Sequence, residues 1–183
     1  MALANVLEGV GVSAYLGAAA SIASKQYLTD AGSILTVEAR HSSYLRASAG
    51  EVPFPQPFDN PLDFDEVYTV ASPFIVSCPS SNPALPVKAF PSLTSTSTGT
   101  LLTGSQVTLA TGEGFTASGP VYAAFITVTG PVWVTVRPVK GGYSVTIPQG
   151  IEGQSYVVLT SSNDNVSDDD ILAGPAILEV REK

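Results

Sequence analysis

The stretch ILTVEARHSSYL, residues 34–45, decides the fold of the N-terminal part of the chain. Four of its residues recur at intervals of three or four, so a helix places them on one face: Ile34, Glu38, His41 and Leu45. The apolar ends of this stripe predict that the face is buried. Burying an unpaired carboxylate is costly, so Glu38 needs a salt bridge, a proton or a metal ion.

A second helical pattern precedes this stretch, in residues 4–23, which are rich in alanine and other small residues. One face of that helix carries a set spaced by three and four: Ala4, Glu8, Gly11, Tyr15, Ala18 and Ile22. The glycines of this segment lower its helix propensity, and close approach of a neighbouring helix is the expected compensation. We expect the helix that holds Glu38 to begin with Asp30 as its N-cap and to end near Gly50.

The carboxylates and the histidine of these two helices predict a metal site. The spacing Glu-x-x-His brings Glu38 and His41 to one side of a helix, and Glu8 adds a carboxylate from the other helix. In di-iron carboxylate bundles two helices give one Glu each and two give Glu-x-x-His, so these three residues are half of such a ligand set. The ligand types suit iron, manganese or zinc and do not choose among them.

A different interpretation of the same residues needs no metal. Glu38 then pairs with Arg40, with Arg46 or with a group of a partner chain, and His41 is an interface histidine. Tyr15, on the face of Glu8, is either a hydroxyl that supports the site or an ordinary core residue.

The hydrophobic period changes from helical to alternating in the C-terminal part. Six or seven short strands are expected, separated by glycine and proline, as in residues 132–136, 143–147 and 156–159. This pattern predicts an α+β multidomain chain. We expect a helical part over residues 1–78, a linker over 79–86, and an antiparallel, immunoglobulin-like β-sandwich over 87–183.

Composition excludes several classes of function. The net charge is −8 and the sequence pI is about 4.4, so the chain lacks the basic surface that binding of nucleic acid requires. The only cysteine, Cys78, cannot form an intrachain disulfide or a cysteine-ligated zinc site. No apolar run reaches the roughly 20 residues that span a bilayer, and residues 1–23 lack the basic start of a signal peptide.

Several stretches resemble one known family: LEGVGVSAYLGA (7–18), ILTVEARHSSYLR (34–46), PFDNPL (57–62) and FIVSCP (74–79). The resemblance is to the second helix pair of the fungal ferritin-like domain, a family that includes stress-related and sexual-development proteins. It implies a ferritin-like bundle whose ligands correspond to Glu8, Glu38 and His41, and a secreted or cell-surface protein. The first helix pair and the secretion signal of that family have no counterpart here, so we expect a C-terminal portion.

The two helices of a hairpin cover only the faces that they turn towards each other, so an apolar face on the outside of the hairpin stays exposed unless another element packs on it. The simplest closure is a homodimer through the N-terminal helices, in which two hairpins form one four-helix bundle. The two copies together would supply four Glu and two His, the full complement of a dinuclear carboxylate site.

The leading hypothesis is therefore a metal-binding, ferritin-like protein with a redox or oxygen-related role. The alternative is a non-catalytic structural or cell-surface module of fungal development or stress. In that alternative the helices serve dimerisation and the β domain binds a partner.

Overall fold

The computed structural model describes residues 3–182, with helices in the N-terminal part and strands after it. The helices are α1 Leu3–Ala18, α2 Lys25–Ser48 and α3 Phe64–Ala71. Short 3-10 turns follow the first and third helices, at Ala19–Ser21 and Ser72–Phe74. The predicted switch from helical to strand structure is confirmed, and the chain is α+β.

The helix that holds Glu38 begins earlier than predicted. Ser24, not Asp30, is its N-cap: the Ser24 hydroxyl accepts a hydrogen bond from the Tyr27 amide at 3.3 Å. Asp30 lies inside α2, because the segment before it is already helical. The prediction that Asp30 caps this helix was therefore wrong.

The glycines of α1 lie where neighbouring groups come closest. A Cβ at Gly11 would overlap the Glu38 carboxylate of α2, and one at Gly9 would overlap the Gln154 side chain. The absence of a side chain thus lets α2 and the sheet approach the backbone of α1. This close packing offsets the lower helix propensity of glycine.

In the part of the chain that the structure describes, nine strands form two sheets. They are β1 Leu93–Ser95, β2 Leu101–Leu102, β3 Gln106–Thr111, β4 Tyr122–Phe125, β5 Val132–Val134, β6 Arg137–Val139, β7 Gly142–Thr146, β8 Gly153–Thr160 and β9 Ile171–Arg181. The first sheet has the order β1-β3-β7-β6, and the second has the order β2-β9-β8-β4-β5. Every pair is antiparallel except β2 with β9, so the second sheet is mixed rather than antiparallel throughout.

The two sheets share one apolar core. Buried members come from both, among them Val107, Leu109 and Val145 of the first sheet and Phe125, Val157, Leu159 and Leu178 of the second. Inward residues alternate along β3 and β7, as a half-buried strand requires. A shared core between two sheets is what a β-sandwich needs; the immunoglobulin-like form of that sandwich stays a prediction.

The helices pack on the second sheet. Tyr156 of β8 lies in a buried cluster with Val10 of α1, Leu62 and Val70. Arg46 of α2 donates two hydrogen bonds to the Glu179 carboxylate of β9, at 2.7 and 3.0 Å. The helical and β parts are thus joined by apolar and ionic contacts, and the division at residues 79–86 stays a prediction.

Among residues 3–182, one stretch is long and apolar enough to span a membrane by length and composition alone: Leu3–Ser21, with 19 residues and mean hydropathy 1.3. The expectation from the sequence was that no apolar run was long enough. A single such stretch near the N-terminus is weak support for a span, since core helices and signal sequences share the composition. Here the stretch contains α1, which packs against α2 and α3.

Candidate metal centre

The covered face of α2 differs from the predicted one. Its buried or half-buried residues include Leu35, Glu38, Ala39, Ser42 and Arg46, which also recur at helical spacing. Ile34 is exposed, and the side chain of His41 is 57% exposed. The stripe predicted from Ile34 to Leu45 is thus only partly covered, because α1 and the sheet pack against a face turned about one residue away.

Glu8 and His41 come together across the two helices. His41 Nδ1 lies 3.3 Å from Glu8 Oε2, and the Glu8 side chain is 29% exposed. A carboxylate oxygen only accepts, so the ring donates from Nδ1. A metal ion that binds both groups would take the place of this proton, and the neutral ring would then carry its proton on Nε2.

Glu38 lies beside this pair, and its carboxylate is unsatisfied. Among the residues that the structure describes, Glu38 Oε2 is buried and has no hydrogen-bond partner. Burial and the neighbouring Glu8 charge raise the pKa of Glu38, and His41 opposes this rise. The three predicted residues are therefore close enough to influence one another's charge.

Neither intrahelical salt bridge considered for Glu38 forms in the described residues, and pairing with a partner chain stays a prediction. Arg46, one of its two intrahelical candidates, is bound to Glu179 and to the Val52 carbonyl oxygen. Arg40 is exposed and makes no ion pair with Glu38 in the described part of the chain. Tyr15 is half-buried and makes no hydrogen bond with the three site residues among residues 3–182.

The chemistry of the donors fits a transition metal better than their arrangement does. Two carboxylates and one imidazole suit iron, manganese or zinc. Within residues 3–182, however, no group of three or more His, Cys, Asp and Glu side chains is arranged to hold a metal ion. The hairpin formed by α1 and α2, residues 3–48, thus gathers the donors without closing them round one point.

Sequence reasoning missed the polar network behind this hairpin. The Tyr156 hydroxyl donates to the Gly9 carbonyl oxygen at 3.2 Å and accepts from Ser13 at 3.0 Å and Gln154 at 2.9 Å. Burial raises the pKa of Tyr156 to about 12. A cavity of about 200 Å³ lies here, but its strongest donors, Tyr156 and Arg46, are already engaged by protein groups. No local signal in the sequence marks these long-range partners.

A second missed feature has a sequence signature. The motif Asp-x-x-Glu at Asp63 and Glu66 forms a capping box at the start of α3, with both hydrogen bonds at 2.8 Å. Glu66 is buried, and desolvation with the Asp63 charge raises its pKa to about 8. This carboxyl stabilises the helix start and is remote in sequence from the candidate metal ligands.

Comparison with known proteins supports the hairpin. A family model described as a ferritin-like domain matches residues 1–51. The matched range contains Glu8, Glu38 and His41, and it stops before α3 and the strands. No curated protein matches the chain. The similarity is therefore to a ferritin-like domain, over the hairpin alone.

Proposed function

We propose that the α1–α2 hairpin binds a transition metal, iron, manganese or zinc, through Glu8, Glu38 and His41. The observation that carries the proposal is the buried Glu38 Oε2, which has no hydrogen-bond partner in the described part of the chain. An acceptor in this state costs folding free energy unless something binds it. A cation compensates the carboxylate without requiring a protein donor.

The neighbours of Glu38 favour a cation over a proton alone. Glu8 and Glu38 are two carboxylates in one small region, and a bound metal removes the repulsion between them. His41 adds a nitrogen donor on the same side, in contact with Glu8. Gly11 keeps the space in which the Glu38 carboxylate lies against α1.

The role of each residue follows from its position. Glu38 supplies the most buried oxygen, Glu8 a partly exposed oxygen, and His41 a nitrogen at the open side. Iron or manganese held by such ligands supplies redox or oxygen-related chemistry. The match to a ferritin-like domain over residues 1–51 supports this class of site. We also propose that the chain is related to the fungal stress-related and sexual-development proteins, on the stretches of sequence that resemble them.

A second candidate function rests on the outer side of the hairpin. Large apolar residues are exposed there, among them Leu7, Ile34, Val37 and Tyr44. In a non-catalytic structural or cell-surface module, this face would serve assembly, and the β part would bind a partner. Metal content separates the two functions: a stoichiometric transition metal supports the first, and its absence supports the second.

The test is a titration of chelator-treated full-length chain with Fe²⁺ under anaerobic conditions, and with Mn²⁺ and Zn²⁺, followed by calorimetry. We expect His41→Ala to lower the affinity by more than the roughly 10–100-fold that loss of a group supporting a ligand costs, because it removes a direct ligand. Glu38→Gln should have a similar effect, because the amide no longer supplies a charged oxygen. Glu113→Gln, at an exposed loop position, is the matched control and should leave the affinity unchanged.

Circular dichroism of each variant checks that the hairpin still forms. Equal metal affinity in the wild type, His41→Ala and Glu38→Gln would place any bound metal elsewhere and overturn the proposal. Loss of affinity in the Glu113→Gln control would show that binding is diffuse attraction to an acidic chain rather than a site.

A further inference from the structure

The outer face of α2 carries a regular seam that nothing covers among the described residues. Its members repeat every seven residues in two interleaved rows, Tyr27, Ile34 and His41 in one and Asp30, Val37 and Tyr44 in the other. All six are exposed. Two rows with heptad spacing are the pattern with which one helix packs along another.

The exposed side of α1 continues this seam. Leu3 and Leu7, four residues apart, are exposed large apolar residues of α1. Glu8 follows Leu7 and contacts His41 across the hairpin, so the exposed faces of the two helices meet at this pair. Glu8 and His41 therefore lie next to exposed apolar residues of both helices, Leu7 on α1 and Val37 on α2.

We propose that a second copy of this chain docks on the outer seam, so that two hairpins form a four-helix bundle around both sets of Glu8, Glu38 and His41. The proposal rests on the proposed metal function and names the partner of that site. One chain gives two Glu and one His, and a two-fold pair gives four Glu and two His. That is the ligand complement of a dinuclear carboxylate bundle.

The area that the seam could bury is close to the lower limit for a stable protein–protein interface. Helices of 24 and 16 residues are about 36 and about 24 Å long. At roughly 10 Å of width per helix, docking covers about 600 Å² of each chain, or about 1,200 Å² in total. Stable interfaces begin at about this total area. A bound metal shared by the two hairpins would add to the apolar contribution.

The hairpin is less acidic than the rest of the chain. The whole chain has a net charge of −8, whereas the hairpin has three basic residues and three acidic ones, Glu8, Asp30 and Glu38. The acidic excess therefore lies elsewhere. Two copies of the seam meet with less repulsion than the total charge suggests, and a bound metal offsets the repulsion among the carboxylates that the dimer brings together.

Other exposed apolar residues offer no comparable surface. Phe54, Phe58 and Val76 lie outside the helices and strands, on segments without a repeating pattern. None of them belongs to the group of Glu8, Glu38 and His41. Only the seam of the hairpin combines helical spacing, apolar area and candidate ligands in the described structure.

Metal binding and dimerisation are linked if both sites share the seam, because a ligand that binds the dimer better must favour the dimer. Analytical ultracentrifugation of the full chain tests this. It is run over a dilution series, with chelator and then with Mn²⁺ as the probe metal. We expect a dimer whose dissociation constant falls by about 10-fold or more with Mn²⁺.

Two valines supply matched variants. Val37, in the seam, is 38% exposed, and Val139, on the edge strand β6, is 37% exposed. Val37→Glu should give a monomer, because it places a charge in the interface, whereas Val139→Glu should remain a dimer. Both variants should show wild-type unfolding of the β part.

The outcomes separate this proposal from the metal function. A chain that is monomeric at all concentrations but binds metal through His41 overturns the dimer and leaves the metal function standing. A dimer that Val37→Glu disrupts but Mn²⁺ does not strengthen supports the docking surface and counts against a shared metal site. A dimer that Val37→Glu leaves intact overturns the docking surface, as does occupation of the seam by another helical segment.

Discussion

The α1–α2 hairpin and the two sheets satisfy their side chains in opposite ways. The sheets bury a continuous core, with residues such as Val107, Leu109 and Phe125 fully inaccessible to solvent. The hairpin leaves large apolar residues exposed on α2, among them Tyr27 and Tyr44, while it buries the unpartnered Glu38 oxygen. The sheets, which bury their apolar side chains among themselves, are expected to provide most of the stability. The hairpin, whose exposed apolar residues and buried carboxylate lack partners among the described residues, is expected to bind a metal ion or another chain.

The contact between the two regions shows which side of the hairpin is available. Tyr156, Gln154 and Glu179 of the second sheet engage the inner side of α1 and α2. Glu8 and His41 lie on the other side. The sheet thus positions the hairpin and leaves Glu8 and His41 accessible, while the Glu38 oxygen is buried between the helices.

The largest expected effect compares matched leucines of the two regions. Leu109→Ala, in the shared core of the sheets, should lower the free energy of unfolding by about 3–5 kcal/mol, because it leaves a cavity. Leu28→Ala, on α2 where the side chain is exposed, should cost less than about 1 kcal/mol. Urea unfolding of the metal-free chain measures both. Equal losses would show that the hairpin is as well packed as the sheets.

The ion pair that joins the regions comes next. Arg46→Met leaves Glu179 without its buried partner and should cost about 3 kcal/mol. Arg181→Met, which removes the exposed pair with Glu51, should have a much smaller effect. A double-mutant cycle with Glu179→Gln isolates the coupling. If Arg46→Met and Arg181→Met cost the same, the buried pair does not fix the hairpin on the sheet.

The free energy of unfolding should depend on pH through Glu66, at the start of α3. Burial raises the folded-state pKa of Glu66 to about 8 from its ordinary value of 4.5, so the folded state binds an extra proton between these pH values. The stabilisation that protonated Glu66 provides is therefore fully present below pH 4.5 and is lost as the pH rises through about 8. Glu66→Gln keeps the hydrogen-bond acceptor of the capping box and should gain about 2 kcal/mol over wild type between pH 5 and pH 9.

Thermal unfolding at the two pH values measures this gain, with Glu113→Gln as the control at an exposed position. Equal pH dependence in Glu66→Gln and wild type would mean that Glu66 ionises without penalty.

The smallest expected effect lies in the site itself. Burial and the neighbouring Glu8 charge raise the pKa of Glu38, so its carboxylate destabilises the metal-free fold as pH rises above the ordinary value of 4.5. Glu38→Gln should therefore stabilise the metal-free chain at neutral pH, by less than about 1 kcal/mol after solvent screening. The same change should remove metal binding. A variant that lost stability instead would show that the carboxylate already has a compensating partner.

The sequence predicted element type better than it predicted which helix face is covered. The periods of residues 4–23 and 34–45 indicated the two helices, and alternation indicated most of the strands. Short edge strands such as β1, β2 and β6 were not resolved from loops, since two or three residues are too few to show a period.

The site was predicted in part. Glu8 and His41 do meet, and Glu38 is inward, but His41 is mostly exposed. A helical stripe gives the direction of side chains relative to one another, whereas its coverage depends on what packs against it. Here Arg46 and Tyr156, which couple the hairpin to the sheet, turn that face by contacts between residues more than a hundred positions apart.

The most direct test of the central claim is an anomalous-difference map from crystals of the full chain grown with Mn²⁺ or Fe²⁺. The proposed function predicts a peak about 2.0–2.2 Å from Glu38 Oε2 and from a ring nitrogen of His41. A map with no peak at the hairpin, and with a hydrogen-bond donor in place beside Glu38 Oε2, would contradict it.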